Sequence, residues 1–230
     1  MNRFKQAAMV AAATIALNAF TAPLMAASIG IGISGAWTDL DTSGTETLKT
    51  TSVVSSTSRD TVVNVPSMFI QITGPWGIVL GIEHVPLTAE LGSEFTSRVD
   101  KLKGGADAET SVDQIVQAEV SDHNTVYIET PGYGFGGGSG VYLMAGYSSF
   151  DVLTNEKLGT GAAYGDASID GTTLGIGIKT NTDHGFFAKL LGTWTDYDSI
   201  SLTSTGSDAA STITADIDAT AAKFSLGYNF

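Results

Sequence analysis

AAKFSLGYNF, residues 221–230, ends the chain on strict alternation: Ala222, Phe224, Leu226, Tyr228 and Phe230 interleave with Lys223, Ser225, Gly227 and Asn229. Successive side chains of a strand point to opposite faces, so this segment has one wholly apolar face up to its last residue. The terminal strand of a soluble sandwich usually frays or ends in polar residues. A membrane-spanning strand alternates lipid-facing with lumen-facing side chains and carries aromatics at the interface. The pattern predicts the second.

Working back from that end, seven more segments alternate with period two, separated by turn residues. The first, near 28–39, sets Ile29, Ile31, Ile33, Gly35 and Trp37 against Ser28, Gly30, Gly32, Ser34 and Ala36. The second (61–73) ends at Gly74-Pro75, and the third (76–91) turns Trp76, Ile78, Leu80 and Ile82 outward with Glu83 inward. The fourth, near 114–130, directs Val116, Ala118, Val120, Val126 and Ile128 to lipid and Glu119 and Glu129 inward, with Asp122 breaking the outward pattern. The fifth (140–154), sixth (164–180), seventh (186–203) and eighth (212–230) follow the same rule, the seventh with Phe186, Leu190 and Trp194 outward and Lys189 inward. The expected fold is therefore all-β, an eight-stranded antiparallel transmembrane up-and-down barrel. The alternative is a soluble eight-stranded sandwich or lipocalin-like barrel, in which the apolar face would be a core.

Residues 1–27 combine Arg3 and Lys5, an apolar stretch from Ala7 and small residues at the end, the pattern of a secretory signal peptide cleaved after Ala26 or Ala27. Asn18, Thr21 and Pro23 break the run before it reaches the ~20 residues of a spanning helix. Removing it leaves one barrel domain, 28–230, and takes the net charge from −13 to −15 with the loss of Arg3 and Lys5. So acidic a chain is no general nucleic-acid binder. With no cysteine, disulfides, thiolate metal sites and thiol nucleophiles are excluded.

WGIVLGIEHVPL at 76–87, NTVYIETP at 124–131 and FSLGYNF at 224–230 resemble the third, fourth and last strands of the opacity-type porin family. With eight glycine-rich strands and a closing phenylalanine, the chain resembles the group that also includes the barrel of outer-membrane protein A. The resemblance implies a monomer in the bacterial outer membrane with periplasmic termini, embedded in its lipid. It implies a signal at Phe224, Leu226, Gly227, Tyr228 and Phe230 that the barrel-assembly machinery reads. It does not imply one activity, because the group serves adhesion, envelope structure and narrow diffusion alike.

Chemistry-bearing motifs are sparse. His84, His123 and His184 are the side chains that titrate near neutrality; no local motif pairs His84 or His123 with a particular serine, and His184 falls in an expected periplasmic turn. A lipid-modifying barrel enzyme using His84 or His123 is a minor alternative; no catalytic residue is expected. DLDTSGTE at 39–46 begins like a calcium loop, but the twelfth position is Thr50 and supplies no bidentate carboxylate. The glycines of 134–140 lack the Lys-Ser/Thr of a phosphate loop. No cofactor or metal is expected.

More informative are the inward charges Glu83, Glu119, Glu129, Lys179, Lys189 and Lys223. Counting residues from the short turns sets Glu129 level with Lys179 and Lys189, and Glu83 near Lys223. An eight-stranded barrel is about wide enough for side chains to fill. These charges either pair into a plug or line a narrow channel for small solutes. Trp37, Trp76, Phe186 and Trp194 are expected at the membrane interfaces. The polar stretches 40–60 and 92–113 read as long loops open to an external ligand. The expected function is a non-enzymatic, envelope-structural protein that displays acidic polar loops.

Overall fold

In the computed structural model the described residues are 28–47, 54–74, 76–101, 109–136, 138–157, 164–205 and 212–230. Residues 1–27, expected to be a signal peptide, lie outside them. Among the described residues there are eleven antiparallel strands: β1 (Ser28–Thr47), β2 (Val54–Thr73), β3 (Val79–His84), β4 (Ala89–Lys101), β5 (Glu109–Glu129), β6 (Tyr133–Gly136), β7 (Ser139–Lys157), β8 (Ala167–Asn181), β9 (Phe186–Tyr197), β10 (Ile200–Thr203) and β11 (Thr212–Asn229). Neighbouring strands pair in the cyclic order β1, β2, β3, β5, β7, β8, β9, β11, and β11 returns to β1, so the sheet closes into an eight-membered ring. β4 continues the third barrel strand after a break at 85–88, β10 continues the seventh, and β6 extends the β5–β7 hairpin beyond the turn end of the barrel.

The ring is an inside-out globule. Ile31, Ile70, Leu143, Ile176, Leu190 and Leu226 stand outward with about half of each side chain exposed, while Gln71, Glu129, Lys189 and Thr195 are buried inside. That arrangement overturns the sandwich reading, in which the apolar face would be covered. From Ile29 to Trp37 the outward face of β1 spans eight residue steps, roughly 26 Å along the strand and about 20 Å along a tilted barrel axis. Such a band suits a bilayer core.

Inside, aromatic rings lie over glycines of the neighbouring strand. Phe69 is register-paired with Gly32, Tyr127 with Gly81, Tyr142 with Gly177, Phe187 with Gly227 and Tyr197 with Gly171. A Cβ on any of these glycines would collide with its ring. The inward glycines thus make room for rings in a narrow lumen.

Two strand expectations are corrected. The stretches 40–60 and 92–113 are mostly strand, not loop: β1 and β2 pair in unbroken register up to Thr47 with Val54, and β4 pairs with β5 up to Lys101 with Glu109. In 40–47 and 54–60 the Ser/Thr-rich residues are largely polar on both faces, so no alternation marks them, yet threonine favours strands and bonds across them, as Thr45 does to Thr214 at 2.6 Å. The second correction concerns β5. Its register against β7 slips by one between Ser121 and Asn124, where Asp122 adopts φ 51°. Beyond this bulge Val120 pairs with Val152 and packs against the inner apolar cluster, whereas Glu119 shares the outer face with Leu153.

Towards the far end the wall divides along two seams. β2 leaves β3 at Met68–His84, and extending that register would oppose Pro66 to Pro86, neither of which has an amide to donate. β4 follows β5 instead. Opposite this seam, β8 and β9 separate after Gly171–Tyr197, with one last bond from Asp198 N–H to the Asp170 carbonyl at 2.7 Å. The far end consists of two four-stranded sheets, β2–β1–β11–β10 and β4–β5–β7–β8, facing each other across an apolar interior.

Candidate functional site: the closed lumen and its far rim

Three layers fill the lumen. Nearest the short turns, Lys189 of β9 donates to Glu129 Oε1 at 2.6 Å and to Gln71 Oε1 at 2.8 Å. Four rings surround its ammonium, Phe187 at 5.4 Å, Phe69 at 5.5 Å, and Tyr127 and Tyr142 both at 5.8 Å from ring centre to nitrogen. Lys179 lies 3.7 Å from Glu129 Oε2 and 5.0 Å from the Tyr142 ring centre, and donates to the Thr130 carbonyl. Taking such ions out of water costs several kcal/mol or so each, and here a close counter-ion, an amide oxygen and ring faces offset it.

The middle layer holds Lys223 and Glu83, 2.5 Å apart, with Ser67 donating to the other carboxylate oxygen at 2.5 Å. Hydroxyls run around the wall from Thr125 through Ser148 and Thr173 to Thr195 with spacings of 2.8, 2.9 and 2.9 Å. These groups and His123 line a cavity of about 80 Å³, large enough for water. Above it Phe150, Val152, Ile169, Tyr197, Ile217 and Ala219 form a buried apolar layer, joined by Leu40, Val120 and Ile200. Polar groups are thus confined between an aromatic-lined ion pair and an apolar cap.

Of the six charges singled out from sequence, the structure gathers five into two centres. Glu119 is not one of them, because the Asp122 bulge has turned it outward. The sequence reading missed the ring cage around Lys189, Gln71 as its third partner, and the apolar cap. The first two carried a signal, since Phe69, Gln71, Tyr127 and Phe187 occupy inward positions; the cap was hidden by the bulge in β5.

His84 Nδ1 bonds Asn124 Oδ1 at 2.9 Å, and His123 Nε2 bonds the Tyr197 hydroxyl at 3.3 Å, so neither hydrogen-bonds a serine among the described residues. His184 is exposed in the Thr182–Gly185 turn. Among the described residues no group of three or more His, Asp or Glu is placed to hold a metal ion.

Outside, Trp37 and Trp194 stand at the upper edge of the apolar band, while Trp76, Phe186 and Phe230 stand at the turn end, each more than half exposed. Phe186, Tyr228 and Phe230 stack edge to face with ring centres 5.0 Å apart. Tyr133 and Phe135 of β6 add two exposed rings there. Just above the upper tryptophan level, Asp60, Asp41, Asp218 and Asp196 lie side by side on four adjacent strands, all exposed.

No family model and no curated protein matches the chain. Among solved structures it is similar to Ail, the attachment invasion locus protein of Yersinia pestis (10% identity, 89% of this chain and 97% of that chain, TM-score 0.40). It is also similar to Neisserial surface protein A (7%, 89% and 99%, TM-score 0.44) and to the outer membrane protease OmpT of Escherichia coli (12%, 88% and 97%, TM-score 0.42).

Proposed function

We propose that the chain is a non-conducting, non-enzymatic protein of the bacterial outer membrane that stabilises the envelope and presents its far-end sheets outside the cell. The observation that carries this reading is the lumen, closed once by the caged Lys189–Glu129 pair and again by the Phe150–Tyr197–Ile217 layer. On this reading the termini are periplasmic, the outward aromatics anchor the barrel at both lipid interfaces, and the chain works as a monomer in outer-membrane lipid. Phe224, Leu226, Gly227, Tyr228 and Phe230 serve as the signal to the assembly machinery.

Planar-bilayer recording of the protein without residues 1–27, refolded and checked by its heat-dependent gel shift, tests the closed lumen. Silence is expected. Reproducible small steps altered by Glu129→Gln would overturn it in favour of a narrow channel for small solutes. Absence of lipid A deacylation, unchanged on His84→Ala or His123→Ala, is expected from the same preparation.

A further inference from the structure

We propose that the outer edge of β2, from Val54 to Val65, is a docking edge that takes up an extended, cationic polypeptide segment as an added strand. The inference rests on the reading that this end of the barrel faces the outside. β2 pairs with β1 along its whole length in unbroken register, but its other side is paired only from Met68 to Thr73, with β3. Among the described residues the backbone of 54–65 therefore has no partner on that side. A row of unpaired N–H and C=O groups is a template for another strand, and native edges are normally blunted by proline, lysine, a bulge or a short length. Here twelve residues, VSSTSRDTVVNV, contain no proline and no lysine, and their register with β1 has no bulge.

The cause of the free edge is local. Pro66 and Pro86 would meet two steps beyond the last pair of the β2–β3 ladder, and a pair lacking both amides cannot extend it. β4 then stays with β5, so the break is built into the fold.

Charge selects the occupant. The outward residue at the middle of the edge is Asp60, register-paired with Asp41, which is paired with Asp218. A strand added beside β2 would set one of its own outward side chains about 5 Å from Asp60 and in line with that row. A basic side chain fits and an acidic one is repelled. The same row disfavours a second copy of this chain, whose β2 would bring its own Asp60.

The test uses the refolded barrel in detergent micelles and three twelve-residue probes: alternating Thr-Lys, alternating Thr-Glu, and Thr-Lys with its central amides N-methylated. Amide hydrogen exchange is followed along 54–65, and affinity by fluorescence anisotropy. The Thr-Lys peptide is expected to protect 54–65, the methylated and Thr-Glu peptides to leave it unprotected, and Asp60→Lys to weaken binding about 3- to 10-fold. Equal binding of the methylated peptide, protection confined to other segments, or amides of 54–65 already protected in dilute monomer would overturn the proposal. Protection of 54–65 without peptide that rises with barrel concentration would overturn it in favour of self-pairing. Conductance of the same preparation reports the lumen independently, so the two readings can fail separately.

Discussion

Lys189 shows how one residue can hold a lumen closed. Its counter-ion Glu129 is almost fully buried, and the second cation, Lys179, stands 3.7 Å off. Replacing Lys189 by Met keeps the bulk but leaves a buried carboxylate poorly paired, a loss of about 3–5 kcal/mol. Urea unfolding of the refolded barrel should show it, and Glu129→Gln on the same background should recover a large part. An unchanged unfolding midpoint would mean the pair is not what closes this layer. At the far end the imbalance has the opposite sign. Asp41 has its carboxyl held above the usual carboxylate range by a hydrogen bond with Asp60, by slight desolvation, and by repulsion from Asp60, Asp39 and Asp218. A carboxyl raised in the folded state binds its proton more tightly there than when unfolded, so this contribution grows as pH falls through the raised value. At neutral pH the row is self-repelling and suits a cationic guest. Asp60→Asn should return the Asp41 titration toward the ordinary value, read from its carboxyl carbon shift.

At the scale of the strand, what could be read from sequence and what could not have a common physical origin. Alternation is visible where one face meets lipid and the other a polar lumen, as in Ile29–Trp37, Leu174–Lys179 and Ala222–Phe230. Beyond the apolar band both faces are polar or the inner one turns apolar, and there 40–47, 54–60 and 92–101 read as loop. The bulge at Asp122 shows in the sequence as a broken pattern, but its consequence does not: Val120 turns inward and Glu119 outward. Glu119 was placed inside for that reason. The counting that set Glu129 level with Lys179 and Lys189 needs only short turns and regular strands, and the structure holds these groups 3.7 and 2.6 Å apart. Glycine was legible as small but not as a partner, since its role appears only once register is known. Gly81→Ala puts a methyl group into the Tyr127 ring and should cost about 1–3 kcal/mol by overpacking. Gly35→Ala, whose Cβ would meet nothing within 4 Å, should be close to neutral in the same unfolding assay.

For the whole molecule, two unlike closures in series give the lumen a redundancy that neither has alone. On the proposed reading the lower layer would exclude ions by filling space with four rings and a charge pair. The upper layer would do so by presenting Phe150, Ile169, Tyr197 and Ile217, an apolar constriction poor in groups that could replace an ion's hydration. The lower layer sits inside the closed ring of ladders and the upper one between the two four-stranded sheets, so side chains can be removed from either layer while the strands around it stay paired. Tyr127→Ala with Tyr142→Ala should therefore fold, as judged by the gel shift, and remain silent in bilayers because the cap persists. Phe150→Ala with Ile169→Ala should remain silent because the Lys189 cage persists. Only the four-fold variant should pass current, in small steps sensitive to the charge at Glu83 and Lys223 in the chamber between. Conductance from either double variant would show that the layer left intact does not seal the lumen by itself. Silence from the folded four-fold variant would place the block in the middle layer, where the Glu83–Lys223 pair spans the lumen.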